Sequence, residues 1–115
     1  MEICFEGVGQ VAATFRAEGN SLKPGMAVCL SDYATVSLGS SGDALCGILL
    51  GGVRGGAAAV QIGGVAKVGY SGSAPAAGWQ ELKCDGQGRV LVSSGGLKCL
   101  VLDVNEDEES IVIKL

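Results

Sequence analysis

The chain has 115 residues, a formal net charge of −4 from 12 acidic and 8 basic residues, and no histidine. Its length suits one domain that buries roughly two thirds of its unfolded surface, and with only 4% aromatic residues the core must be packed from small aliphatic side chains. The lysines and arginines do not cluster, which argues against nucleic acid as a partner, and the commonest acid–base residue of catalysis is missing.

The opening segment, Met1-Glu-Ile-Cys-Phe-Glu6, carries charges where a signal peptide needs an apolar run. The longest uncharged apolar stretch, Ala44 to Val53, is too short and too rich in glycine to span a bilayer. The expectation is a soluble product of the cytoplasm with no membrane partner.

Twenty glycines separate short runs of Val, Ile, Leu and Ala, and runs of this kind read as strands joined by turns. No helical apolar stripe persists beyond about two turns, whereas period-two alternation recurs. Residues 1–20 read as an N-terminal arm or first strands, with Val11–Ala17 alternating as a strand. Asn20-Ser-Leu-Lys-Pro-Gly25 is a turn, its Pro-Gly pair suited to the central positions of type II. Met26–Ser31 and Ala34–Leu38 alternate as strands on either side of Asp32-Tyr33. Beyond the Gly39–Asp43 loop, Ala44–Leu50 is too apolar to be solvated on one face and should lie centrally. Gly51-Gly-Val-Arg-Gly-Gly56 is a loop that exposes Arg54, and Ala57–Ile62 and Val65–Tyr70 flank Gly63-Gly64, a two-residue hairpin signal. Ser71–Gly78 is irregular. Trp79–Cys84, Arg89–Ser93, Lys98–Asp103 and Ser110–Leu115 close the fold as strands, with Asp85-Gly-Gln-Gly88 as a turn and Asn105–Glu109 as a loop. About nine short strands at intervals of about ten residues predict an all-β fold, a small glycine-rich barrel or sandwich with little or no helix. Residues 21–115 form its single β domain.

Candidate chemistry is sparse. Gly51–Gly56 lacks the terminal Gly-Lys-Ser/Thr and the following helix that a phosphate loop needs, and Gly7-Val8-Gly9 likewise precedes no helix. Asp103-Val-Asn-Glu-Asp107 opens like a calcium loop, but Glu108 stands where glycine belongs and Lys114 where the last glutamate belongs. A looser calcium site in this segment stays open beside the alternative, an acidic loop kept solvated by its own repulsion. Cys4, Cys29, Cys46, Cys84 and Cys99 are odd in number, lack C-x-x-C spacing and sit among apolar neighbours. They read as small buried hydrophobes, with no zinc site and no disulfide framework. A serine or cysteine nucleophile would have no histidine base. No catalytic, cofactor-binding or metal-binding residue is therefore expected. Trp79 reads as core or as a half-buried cover on an open barrel end, with an interface anchor as the alternative. Tyr33, Tyr70 and Arg54, in or beside loops, share that ambiguity and complete the candidate interface set.

Four segments, in order, resemble the small capsid decoration (cement or head-stabilising) proteins of tailed bacteriophages and prophages. They are Leu22-Lys-Pro-Gly25 before a strand; Asp43-Ala-Leu-Cys-Gly-Ile48; Gly56 through Val60-Gln-Ile-Gly-Gly-Val65; and Ala77-Gly78 through Leu82-Lys-Cys-Asp-Gly-Gln-Gly-Arg-Val90. The resemblance spans residues 20 to 115. It implies a compact β-rich subunit on the outside of the capsid, made in the host bacterial cytoplasm. It also implies a homotrimer that binds the major capsid protein and reinforces the expanded head without catalysis. The chain departs from the pattern at Trp79, where an acidic residue is more usual, and in its five cysteines. Residues 1–20 carry no matching motif. Two other classes share the composition: another virion subunit, from the tail or the head–tail connector, and a small β module that binds a ligand or glycan. The last would need a concave aromatic site. Its biotinyl-carrier variant would need a lysine at a hairpin tip, whereas Lys67 and Lys83 fall within predicted strands.

Overall fold

A computed structural model describes residues 10–19 and 21–115. The expectations placed on residues 1–9, Cys4 and Gly7-Val8-Gly9 included, and on Asn20 lie outside the described residues. Ten strands and no helix are present among those described: β1 (Val11–Ala17), β2 (Ala27–Asp32), β3 (Thr35–Ser37), β4 (Leu45–Leu49), β5 (Ala57–Gly63), β6 (Val65–Gly69), β7 (Gly78–Cys84), β8 (Val90–Val92), β9 (Leu97–Asn105) and β10 (Ser110–Lys114). The all-β class holds, with one strand more than the nine expected. Each alternating run became a strand because its apolar positions recur every second residue, the period of a pleated chain.

The strands form two bodies. The first five close a barrel in the order β1-β3-β2-β4-β5, with β5 returning to β1; the last five make a sheet in the order β6-β10-β9-β7-β8. Val11–Ala17 thus belongs to the barrel, and β1 lies between β5, antiparallel, and β3, parallel. Pro24-Gly25 turns the chain into β2 with Gly25 at φ +86° and the Met26 N–H donating to the Lys23 carbonyl at 3.3 Å, as a type II turn requires. The Gly63-Gly64 hairpin does not form. β5 pairs with β1 and β4, whereas β6 pairs with β10, so the two glycines carry the chain out of the barrel into the second sheet. The Asp85–Arg89 segment does join a hairpin, β7 to β8, with Cys84 opposite Val90.

Two apolar clusters hold these bodies. Inside the barrel are Leu22, Val28, Val36, Leu49, Ala58 and Val60, with Phe15 and Cys46 packed against them. Between the barrel wall and the second sheet lies the larger cluster, where Ala27, Cys29, Leu45 and Ile48 meet Val68, Tyr70, Leu82, Val101, Ile111 and Ile113. β4 contributes Leu49 to one cluster and Leu45 and Ile48 to the other, so it is buried on both faces, as its unbroken apolar sequence demands.

The seam between the bodies is also hydrogen-bonded. Ala27 N–H donates to the Gly88 carbonyl at 2.8 Å, Gly42 N–H to Cys84 at 2.9 Å, and Cys84 N–H to Asp43 at 2.8 Å, beside an isolated bridge from Ala44 to Lys83. The buried Gln61 side chain completes the seam: its Nε2 donates to the carbonyls of Gly63 and Val65 at 3.0 and 3.1 Å, across the crossing from barrel to sheet. Left alone, the buried Val65 carbonyl would be desolvated without this partner, which is costly.

Candidate functional site

The four candidate interface residues fall in three places. Tyr70 is 4% exposed and packed in the core between barrel and sheet, so it cannot anchor a partner. It ends the inward-facing series Ala66, Val68, Tyr70 that continues β6, and that periodicity takes its ring under the sheet. Trp79 meets the opposite fate: the core position does not apply, because the indole is 57% exposed on β7. Its neighbours Leu82 and Cys84 point inward, and odd-numbered positions of this strand point out.

Tyr33 and Arg54 approach one end of the barrel. Tyr33, 92% exposed, sits at the tip of the β2–β3 hairpin, where its N–H donates to Asp32 Oδ1 at 2.7 Å. Arg54, exposed in the loop between β4 and β5, is tied by an isolated bridge to Ala57. The exposed Arg16 of β1 lies between them, with Thr35 beside it on one neighbouring strand and Ala57 on the other. The barrel end therefore presents a tyrosine and two arginines, a composition common at protein interfaces.

The outward face of the second sheet is the other exposed surface. Trp79 lies opposite Leu100, and Leu100 opposite Lys114; one rung away, Glu81 faces Lys98. Val112 faces Lys67 across β10 and β6. Leu100 and Val112 are half-buried while Trp79, Lys98 and Lys114 are exposed. Beside Trp79 a shallow open groove of about 380 Å³ is bordered by Glu81, Val92, Ser93 and Lys98. Sequence reasoning missed this face as a unit, because strand register alone brings Trp79, Leu100 and Lys114 into one row.

Cys29 Sγ lies 3.8 Å from Ser37 Oγ and 3.9 Å from Asp43 Oδ2, at a cleft of about 550 Å³ on the barrel flank. Cys84 and Cys99 are fully buried free thiols, and burial pushes their pKa values up to about 12 and about 11; charges around Cys29 and Asp43 add to the rise at Cys84. Burial raises Cys46 as well, though it is only half-covered. These thiols are poor nucleophiles at neutral pH, because the thiolate is the reactive form. The acidic segment closes on itself: Asn105 Oδ1 accepts from the Asp107 and Glu108 N–H groups at 3.1 and 3.2 Å, and Lys67 Nζ reaches Glu108 Oε1 at 3.2 Å. Among the described residues no group of three or more Cys, Asp or Glu side chains is placed to hold a metal ion.

A scan against protein-family models finds none that matches the chain, and a search of curated proteins finds no match.

Proposed function

We propose that this chain is a non-enzymatic structural subunit that binds the outside of a tailed-phage capsid and stabilises the shell, as a homotrimer in contact with the major capsid protein. One observation carries the reading: the four segments that resemble capsid decoration proteins contribute to one structural feature. Pro24-Gly25 leads into Ala27, which bonds to Gly88; Asp43-Ala44 bonds and bridges to Cys84 and Lys83; and Gly63 to Val65 crosses from barrel to sheet under Gln61. All four build or border the seam that locks two β bodies into one block. A subunit that must resist stress from a shell needs such a rigid body more than it needs a cleft. Among the described residues the strongly exposed aromatics lie at a hairpin tip and on a sheet face.

Co-sedimentation with expanded capsid shells tests the reading. The chain should pellet with shells in a saturable manner and raise their resistance to heat or denaturant. Failure to pellet with expanded shells overturns it.

A further inference from the structure

We infer that a second copy of this chain docks on the outward face of the second sheet, its acidic turn at residues 106–109 meeting Lys98 and Lys114 around Trp79. The inference deepens the homotrimer part of the reading above by naming the surfaces that meet. Two observations carry it. The first is the half-covered apolar row, Trp79 opposite Leu100, flanked by the exposed ammonium groups of Lys114 and Lys98. Tryptophan is depleted from ordinary surface and concentrated at the centres of interfaces, yet here it is 57% exposed.

The second observation is that the same chain presents the electrostatic complement. Glu106, Asp107, Glu108 and Glu109 form one exposed turn, of which only Glu108 is ion-paired among the described residues. That turn follows one end of β9 while Lys98 stands at the other end of the same strand. The seven steps along the strand from Lys98 to Asn105 span roughly 23 Å at the rise of an extended chain, so no copy can bring its own turn onto its own Lys98. A two-fold contact of this face with itself offers Lys98 and Lys114 the carboxylate of Glu81 on the same face, and leaves the acidic turn unused. Placing the turn of one copy on the face of the next instead pairs opposite charges head to tail, and such a heterologous contact closes into a ring when the rotation allows.

The test uses the full chain and three variants: Trp79→Ser, the double variant K98E/K114E, and the double variant E106K/D107K. All three alter exposed side chains, and circular dichroism with thermal melting checks that each folds. Sedimentation equilibrium at low and high salt reads the association. The wild type should associate at low salt and less so at high salt. Because Trp79 is the chain's sole tryptophan, its emission should move to shorter wavelength as the copies associate. Trp79→Ser and each charge-reversed pair should weaken association by about tenfold or more. Mixing K98E/K114E with E106K/D107K should restore association in pairs, since each supplies what the other lacks, but not the closed trimer, in which one contact would still join like variants. A wild type that stays monomeric, or an oligomer indifferent to all three variants, overturns the inference. Shell binding separates the two proposals. A monomer that still pellets with expanded shells removes this interface and leaves the capsid role, whereas an oligomer sensitive to the variants that never pellets does the reverse.

Discussion

Gln61 Nε2 donates a 3.1 Å hydrogen bond to the Val65 carbonyl, so a barrel side chain holds the first residue of the second sheet. The donor is 3% exposed, and the same nitrogen also serves Gly63 at 3.0 Å. Gln61→Leu keeps the volume but leaves two carbonyls without that donor. It should lower unfolding free energy by about 1–3 kcal/mol, read by urea denaturation. A loss below about 0.5 kcal/mol would mean that water replaces the amide.

Gly47 is a position where space, not turn geometry, demands glycine. A Cβ there would run into the Gln61 carbonyl and come within 2.8 Å of Val60 Cγ1. Gly47→Ala should destabilise by about 1–3 kcal/mol or more, because the obstructing atoms belong to a paired barrel strand. Gly52→Ala, which meets nothing within 4 Å, should change stability by less than about 0.5 kcal/mol. Equal melting temperatures for the two variants would contradict this account of the barrel wall.

The buried thiols set an alkaline limit. Burial pushes the Cys84 and Cys99 thiols up to about 12 and about 11 in the folded chain, above the 9.0 of a free thiol. Their folded pKa values are raised, so this contribution to stability is intact below about pH 8.5 and is lost as pH climbs towards the folded values. Unfolding free energy should stay level from about pH 7 to 8 as far as these groups are concerned. It should then fall by up to about 1.4 kcal/mol per pH unit for each thiol. Cys99→Ala should reduce that slope even though its cavity lowers the starting stability. An unchanged slope would assign the alkaline loss to other groups.

Labelling gives an independent reading of the same burial. With iodoacetamide near neutral pH, half-covered Cys46 should react faster than Cys84 or Cys99, which are 0% exposed. Mass spectrometry of peptides from briefly treated folded protein checks the order. Comparable rates at all three would show that the seam opens readily.

The acidic turn separates local hydrogen bonding from surface ion pairing. Asn105→Ala removes an acceptor for two N–H groups and should cost about 1 kcal/mol. Lys67→Ala removes an exposed ion pair and should cost less than about 0.5 kcal/mol. Melting at low and high salt checks both, with salt dependence only in the lysine's contribution.

Strand positions were legible in the residues because alternation and turn chemistry are local properties. β1, for example, is the run Val11–Ala17 that its sequence predicts, and the Pro24-Gly25 turn has the expected positive φ. Burial of single aromatics was less legible. Tyr70 and Trp79 both stand beside irregular sequence, yet one is core and the other is exposed. Which way each points depends on strand parity, and parity depends on partners far away in the chain.

The Gly63-Gly64 pair shows the same division. Two glycines between apolar runs dictate a sharp change of direction, and that much is local chemistry. Whether the second run folds back on the first is a competition among strands. Here β10, more than forty residues on, pairs with β6 in place of β5. Composition and alternation thus settled an all-β chain with a core of small aliphatic side chains. Long-range pairing decided that the strands divide into a barrel and a sheet, that glycine-marked turns meet at their seam, and that Trp79, Leu100 and Lys114 share one exposed row. Alternation states only that successive side chains point to opposite faces, and the tertiary fold determines which face is covered.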